Sequence, residues 1–223
     1  FIGSCFGSFL NVVIYRVPKK MSIVRPASHC FACKEPIRII DNIPILGYFK
    51  LNGKCRNCGA EFASRYAFVE LITGVLTLCI YMIYGWNDTF LVYLSLTYLL
   101  IAMTFVDIDH LIIPNGFVIT GLLILIISVM MDWVAIDWQD AMSGAFVFAG
   151  FLFAIGLIGQ FILGKESIGF GDVKLGLVLG GFLGTEYSIL ALYLSFAISA
   201  IVIFVMLGSK LIDKNAKIPF GPY

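Results

Sequence analysis

Two aspartates lie at the ends of strongly apolar stretches, where an ionisable side chain is costly. Asp107 follows the apolar run Phe90–Val106, and Asp172 follows a Gly-Phe-Gly sequence. Two carboxylates in one low-dielectric cleft cannot both ionise easily, so such a pair shares one proton. One carboxylate can then activate water as a base while the other donates a proton to a carbonyl oxygen. The pair therefore indicates hydrolysis of a peptide bond by aspartic-protease chemistry.

The glycines around Asp172 favour catalysis over two simpler interpretations. An aspartate just before a membrane helix can be an N-cap or a solvated helix end, and a buried pair can couple ions in a transporter. Gly169 and Gly171 permit a close backbone approach and a positive φ. Glycines then recur every four residues, at positions 176, 180 and 184, so this helix can pack tightly on its neighbours. We expect Asp172 to lie on a rigid, close-packed element.

Asp109 and His110 are further polar residues close to Asp107. In a continuing helix, a residue two positions after Asp107 faces another direction. We therefore expect Asp109 to be a structural or hydrogen-bonding residue, with His110 as its partner.

Four of the six cysteines form a second arrangement that could do chemistry. They are two Cys-x-x-Cys pairs, Cys30 with Cys33 and Cys55 with Cys58, with 21 residues between the pairs. This spacing is typical of a tetrahedral Cys₄ zinc site, in which His29 would not be needed as a ligand. Two disulfides are the alternative, and a thioredoxin-like redox pair is disfavoured because no βαβ pattern surrounds either motif. The metal would supply folding energy, because about 50 residues with few large apolar side chains cannot build much of a core.

The composition places the chain in a membrane. Apolar residues make up 60% of it and charged residues 13%, and the mean hydropathy is +0.97. Soluble domains are roughly 45–50% apolar and about 25% charged. A core of 223 residues does not need this much apolar surface, so the predicted solvent is lipid. The net charge of +1 leaves no broad basic face for phosphates, which argues against a nucleic-acid partner.

Apolar runs that could form membrane helices follow one another along the chain. A spanning helix needs about 20 mostly apolar residues. Phe1–Tyr15 is predicted to be the end of a first helix, and Cys5 within it, like Cys79, is predicted to be a buried packing residue. The other predicted membrane helices are Ala67–Trp86, Phe90–Val106, Leu111–Met131, Ala141–Leu163, the short run Leu175–Gly184, and Tyr187–Gly208.

The basic residues orient this bundle. Ten of the 15 Lys and Arg lie between Arg16 and Tyr66, and the turns on the opposite side contain none. Since Lys and Arg stay on the cytoplasmic side, both aspartates are predicted at the cytoplasmic face. The predicted cytoplasmic segments are Arg16–Tyr66, Asp107–His110, Gly164–Lys174 and everything after Gly208. The predicted organisation is a helix end (1–15), a cytoplasmic zinc-binding insert (16–66) and a membrane-embedded bundle (67–223).

Several motifs together resemble bacterial type IV prepilin peptidases. They are residues 7–18 (GSFLNVVIYRVP), the two cysteine pairs, residues 107–114 (DIDHLIIP), residues 169–174 (GFGDVK) and residues 218–222 (IPFGP). They occur in the family's order across nearly the whole chain. The resemblance implies an inner-membrane enzyme that removes the basic leader from prepilins and pseudopilins after a Gly. It also implies N-methylation of the new terminal residue, usually Phe, with S-adenosylmethionine as methyl donor. The processed proteins would assemble into type IV pili or type II secretion systems.

The resemblance also assigns roles to individual residues. The family's catalytic aspartates correspond to Asp107 and Asp172, and its zinc ligands to the four paired cysteines. Its last membrane helix would follow Tyr223 and the start of its first would precede Phe1, so both are expected outside this sequence. Methyl transfer rests on the resemblance alone, because no G-x-G-x-x-G follows a strand. The residues that would bind S-adenosylmethionine are not predicted.

The predicted architecture is an all-α, polytopic helical membrane bundle with a small zinc-stapled cytoplasmic insert. The predicted function is prepilin leader cleavage followed by N-methylation. Three alternatives stay open: an enzyme with protease activity only, an ion-coupled transporter with buried aspartates, and a non-catalytic assembly factor of a secretion system. An internal repeat or a second pair of broken helices would favour a transporter, and the sequence contains neither.

Overall fold

The computed structural model of the chain describes residues 1–163 and 169–209. Within these residues the regular structure is helical, apart from two isolated bridges, which confirms the predicted all-α class. The chain forms two compact units, Phe1–Ala102 and Met103–Tyr223. The elements are α1 (Ile2–Arg16), a 3₁₀ helix (Ile39–Asn42), α2 (Leu46–Lys50), α3 (Arg65–Tyr84), α4 (Asp88–His110), α5 (Asn115–Met130), α6 (Trp138–Leu163) and α7 (Phe170–Gly208).

Small residues bring α1 and α3 into close contact in the first unit. A Cβ on Gly7 would lie 2.7 Å from the Cα of Glu70, which is closer than real contacts allow. In membrane helices, small residues at a shared face permit such an approach of two backbones. Further along, the Asn11 side chain donates a hydrogen bond to the Tyr66 carbonyl at 3.1 Å. The end of α1 is therefore fixed against the start of α3.

The segment between these two helices, called here the cysteine insert (residues 17–64), has almost no apolar core. Its regular elements are the 3₁₀ helix and α2. Its buried residues are Cys30, Pro44, Gly47 and Gly53, none of which has a large apolar side chain. Burial of apolar surface therefore contributes little to the stability of the insert.

In the second unit α6 and α7 pack closely through glycines. A Cβ on Gly176 would lie 2.9 Å from Cδ1 of Phe148, and a Cβ on Gly180 would meet the carbonyl of Gly144. Two of the glycines in the predicted four-residue repeat thus lie where the helix backbone meets its neighbour. Asp172 lies one turn before Gly176 on this tightly packed helix.

The helix α7 bends in the middle, at Gly184. This residue has a φ of 69°, which is not helical. Just beyond it, the Asp140 carboxylate accepts the Thr185 N–H at 2.9 Å. The bend separates the two runs that were predicted as Leu175–Gly184 and Tyr187–Gly208.

Four helices of the described chain, α3, α4, α6 and α7, are long and apolar enough to cross a membrane, which confirms the predicted polytopic membrane class. The helix α5 has 16 residues and is shorter than the predicted run Leu111–Met131. The reason is that α4 extends to His110 and residues 111–114 form a turn. Cys5 and Cys79 are exposed, so the prediction that they are buried is wrong. Lipid can cover a side chain that a soluble fold would have to bury.

Candidate active site and metal centre

Asp107 lies in the last turn of α4 and is 5% exposed. The helix does not end at Val106, as the apolar run suggested, but continues to His110. It ends where Leu111 adopts a positive φ of 53° and donates its N–H to the Asp107 carbonyl at 2.8 Å. Gly usually provides this helix-ending geometry. Asp109 and His110 are exposed.

Asp172 lies in the first turn of α7 and is 9% exposed. The Gly169 N–H donates a hydrogen bond to its carboxylate. Gly171 does not have a positive φ, so that part of the prediction is wrong for this residue. Gly171 is required for space instead, because a Cβ there would lie 3.3 Å from the Cβ of Ile113 in the turn after α4.

The structure brings Asp107 and Asp172 together within the second unit, although they are far apart in the sequence. Their carboxylates are close enough to interact electrostatically. The turn after α4 packs on the start of α7, and Lys174 Nζ donates a hydrogen bond to Asn115 Oδ1 at 2.8 Å. These contacts fix the ends of the helices that carry the two aspartates. Two carboxylates in this relation can act as an acid and a base.

Each cysteine pair forms the same short loop, held by two backbone hydrogen bonds. In the first loop the Cys30 N–H donates to the Glu35 carbonyl at 2.9 Å, and the Lys34 N–H donates to the Cys30 carbonyl at 3.0 Å. The second loop, which starts at Cys55, repeats both bonds at 2.8 and 2.9 Å. Lys34 and Gly59 occupy equivalent positions with φ of 61° and 72°. The repeated geometry points both pairs of sulfurs at a common centre.

The sulfurs of Cys30, Cys33, Cys55 and Cys58 all lie within 4.8 Å of one another. The sulfurs of Cys30 and Cys58 are 3.8 Å apart, and those of Cys33 and Cys55 are 3.9 Å apart. A tetrahedral site with Zn–S bonds of about 2.3 Å has sulfur–sulfur edges of roughly 3.8 Å, so these residues fit zinc. All four cysteines are free, which does not match the disulfide alternative. His29 lies outside the cluster and hydrogen-bonds a backbone carbonyl through Nδ1.

The thiols of the first loop differ in pKa. Backbone N–H groups of Cys33 and Ala32 donate hydrogen bonds to the Cys30 sulfur and lower its pKa to about 6. The Glu35 N–H acts on Cys33 in the same direction, but burial and the neighbouring sulfurs outweigh it and raise the pKa of Cys33 to about 12. A metal ion bound between the four sulfurs would supply the positive charge that stabilises all of them as thiolates.

An ion pair holds the second cysteine loop to the 3₁₀ helix. Arg56, between Cys55 and Cys58, donates from Nε to Asp41 Oδ2 at 2.7 Å and from a second nitrogen to the other carboxylate oxygen. The Asp41 side chain is only 4% exposed. Its hydrogen bonds from Arg56 lower the pKa of Asp41, and the same bonds raise the pKa of Arg56. The two parallel bonds give this contact a defined geometry.

The first unit also contains a cavity of about 290 Å³, which was not predicted from the sequence. It is lined by the end of α1, the start of α3 and the cysteine insert. Glu70 lines it and is half-buried, and its Oε2 accepts the Ile45 N–H at 2.7 Å. A carboxylate inside the apolar run Ala67–Trp86 is a signal of the same kind as Asp107, and it could have identified Glu70 in the sequence.

Two family models match the chain in succession. Residues 1–84 match the bacterial peptidase A24 N-terminal domain, and residues 94–205 match the type IV leader peptidase family. A Pseudomonas putida protein named prepilin leader peptidase/N-methyltransferase is 32% identical over 100% of this chain and 84% of its own length. A Myxococcus xanthus protein of the same name is 39% identical over 82% of this chain and 54% of its own length. A Neisseria gonorrhoeae protein of the same name is 33% identical over 99% of this chain and 84% of its own length.

No solved structure matches the chain significantly. The two family matches include both candidate sites, since the first covers the four paired cysteines and the second covers Asp107 and Asp172. The chain therefore belongs to the type IV leader peptidase family, as its motifs indicated.

Proposed function

We propose that the chain is a prepilin leader peptidase and N-methyltransferase of the bacterial inner membrane. The relatives carry that name, and the leader peptidase match spans both aspartates. The proposal depends above all on the pair of nearly buried carboxylates, Asp107 and Asp172, which interact with each other. Prepilins or pseudopilins would be the substrates. The distribution of Lys and Arg favours an active site on the cytoplasmic side.

Cleavage at this pair needs only the two carboxyl groups and water. The ionised carboxylate takes a proton from water as the water oxygen attacks the scissile carbonyl carbon, and the protonated carboxyl gives its proton to the carbonyl oxygen. The tetrahedral intermediate then collapses: the carboxyl that took the water proton donates it to the leaving nitrogen, the C–N bond breaks, and the other carboxylate takes a proton back from a hydroxyl of the intermediate. The Gly169 N–H orients Asp172 for these transfers.

The experiment that tests the pair removes one proton-transfer partner at a time. Asp107→Asn and Asp172→Asn should each lower the rate of leader cleavage about 100-fold or more. Asp109→Asn is the matched control, because Asp109 is exposed and follows two residues later, and it should keep most of the activity. Cleavage is measured as a gel shift of purified prepilin, and circular dichroism checks that each variant folds. Active Asp107→Asn together with inactive Asp109→Asn would show that the wrong pair is assigned.

The four paired cysteines are proposed to hold one zinc ion. The spacing of their sulfurs supports this, and the ion would stabilise an insert that buries no large apolar side chain. Methyl transfer is proposed to follow cleavage, with S-adenosylmethionine supplying an activated methyl group for the new terminal amine. The relatives are named as N-methyltransferases as well as peptidases, which supports that second activity.

A further inference from the structure

The cavity of the first unit takes no part in leader cleavage as proposed, because both aspartates belong to the second unit. Its volume of about 290 Å³ is near the lower end of ligand pockets, which span roughly 300–1,000 Å³. The wall of the cavity also contains aromatic rings, which can stack on flat ligand groups and attract cations. The aromatic residues of its wall are Tyr15, Phe31, Tyr48, Phe62 and Tyr66.

Glu70 places a carboxyl group in the wall of this cavity, whose basic residues are Arg16, Lys34 and Lys54. Its carboxylate accepts hydrogen bonds from the Ile45 N–H and the Ser8 hydroxyl. No Lys or Arg in the described part of the chain forms an ion pair with it. The other acidic residue of the wall, Asp41, is already paired with Arg56. A half-buried carboxylate without a counter-charge is stabilised by a ligand that brings a positive charge.

We propose that this cavity binds the methyl donor, with Glu70 as the counter-charge for the cationic methionine part of the donor. The inference rests on the proposed methyltransferase function and gives it a site. An adenosyl sulfonium matches the wall group by group: its adenine suits the aromatic rings, its sulfonium and ammonium suit Glu70, and its carboxylate suits Lys34. The first cysteine loop contributes Phe31 and Lys34 to the wall, so zinc would order part of this site.

Glu70 also has a structural contact, which the test has to separate from donor binding. Its hydrogen bond reaches Ile45, a residue held at a φ of 65°, so loss of the side chain would disturb the insert. Glu70→Gln keeps an oxygen that can accept the Ile45 N–H and removes only the charge. A purely structural Glu70 therefore predicts wild-type donor affinity in Glu70→Gln.

The experiment measures equilibrium binding of S-adenosylmethionine and of 5′-methylthioadenosine, which lacks the charged methionine part, to the purified full chain in detergent. Glu70→Gln should weaken S-adenosylmethionine binding about tenfold and methylthioadenosine binding less than about twofold. Val12→Trp, which fills the cavity from α1, should weaken both about tenfold or more. Phe9→Trp is the matched control, because Phe9 lies on α1 outside the cavity wall, is 47% exposed, and should not alter either affinity. Bound zinc and elution as a single species check the fold of every variant.

Wild-type affinities in both Glu70→Gln and Val12→Trp would overturn the cavity assignment and leave the methyltransferase proposal standing. Loss in Val12→Trp with no loss in Glu70→Gln would overturn the role of Glu70. A wild-type protein that cleaves prepilin but neither binds the donor nor methylates the product would overturn the methyltransferase function and this site with it.

Ultraviolet cross-linking of radiolabelled donor to the wild-type protein gives a readout that does not depend on any variant folding. Label on the peptides that contain Tyr48 or Tyr66 is expected, because both rings line the cavity. Label confined to peptides outside the cavity wall would overturn the assignment.

Discussion

Gly171 has little space for a side chain beside the aspartate pair. A Cβ at this position would lie 3.3 Å from the Cβ of Ile113, which is buried in the turn after α4. At that distance the neighbour has to yield by a few tenths of an ångström. Asp172 is the next residue, so the missing side chain of Gly171 sets how closely the start of α7 approaches the turn that follows Asp107.

Gly171→Ala is expected to slow leader cleavage about tenfold without unfolding the chain, because a shift of about 1 Å can cost about 100-fold and the required shift is smaller. Gly150→Ala is the matched control: it lies in α6 and a Cβ there meets no atom within 4 Å. That change should leave the rate unaltered and stabilise the helix by up to about 1 kcal/mol. Initial rates and melting temperatures are measured for both variants. Undiminished cleavage by Gly171→Ala would contradict the proposed spacing.

The sequence predicts isolated residues well when their signal is local. Asp107 and Asp172 could be identified because a charge at the end of an apolar run is rare and costly. Glu70 carries the same signal but lies near the start of its run, where a side chain can reach the membrane surface without any function. Its contacts with Ser8 and Ile45 join distant parts of the chain, so its importance becomes visible only after folding.

At the scale of elements, one ion pair connects the metal loops to the rest of the cysteine insert. The Asp41 carboxylate receives two hydrogen bonds from Arg56, which lies between two of the cysteines. A second ion pair of the insert, Lys54 with Glu61, is longer at 3.5 Å, and its side chains are 54% and 80% exposed. Exposed pairs of that kind contribute little to stability. The Asp41 pair is therefore the one expected to affect the stability of the insert.

Asp41→Asn is expected to lower the melting temperature of the insert at pH 7 by a few degrees. Because the folded-state pKa of Asp41 lies below its ordinary value of about 3.9, its contribution is fully present above that pH and disappears as pH falls through the lower folded pKa. The difference between wild type and variant should therefore close only below about pH 4. Melting curves across pH measure it, with Glu61→Gln as the control that shows no difference. If the difference in melting temperature between wild type and variant disappeared near neutral pH, a titratable group other than Asp41 would be responsible for it.

The order and class of the elements could be predicted from apolar runs and charges, whereas several boundaries could not. The helix α4 continues four residues past Val106 because Leu111, not Gly, takes the helix-ending conformation. A leucine in the sequence does not predict a positive φ, because the surrounding packing imposes that conformation. The kink in α7 falls at Gly184, the last residue of the predicted run Leu175–Gly184, because Gly tolerates the positive φ found there.

At the scale of the whole molecule, the two candidate sites belong to different compact units. The four paired cysteines and the cavity lie in Phe1–Ala102, and both aspartates lie in Met103–Tyr223. The sequence predicted a polar insert (16–66) and an apolar bundle (67–223) instead of these two units, because hydropathy cannot show which helices pack together. Since each site is built from residues of a single unit, damage to one unit should affect the two proposed activities unequally.

Replacing Cys30 and Cys33 with Ser tests this separation. Loss of two ligands should reduce bound zinc from about one ion per chain to near none, and the insert should lose order with it. Methyl transfer should fall about tenfold or more, because Phe31 and Lys34 of the cavity wall belong to the loop that the metal holds. Leader cleavage should fall only in part, since Asp107 and Asp172 keep their own unit.

Both activities are measured on one preparation of the double variant, as leader removal by gel shift and as label transfer from radioactive S-adenosylmethionine to a pre-cleaved pilin. A variant with Cys5 and Cys79 replaced by Ser is the matched control, because these two thiols are free, exposed and outside the metal cluster. It should retain zinc and both activities. Full methyl transfer with lost cleavage in the Cys30 and Cys33 variant would contradict the division of labour. That outcome would assign the cysteine insert to leader cleavage, because the metal loops would then be needed for hydrolysis and not for the methyl donor.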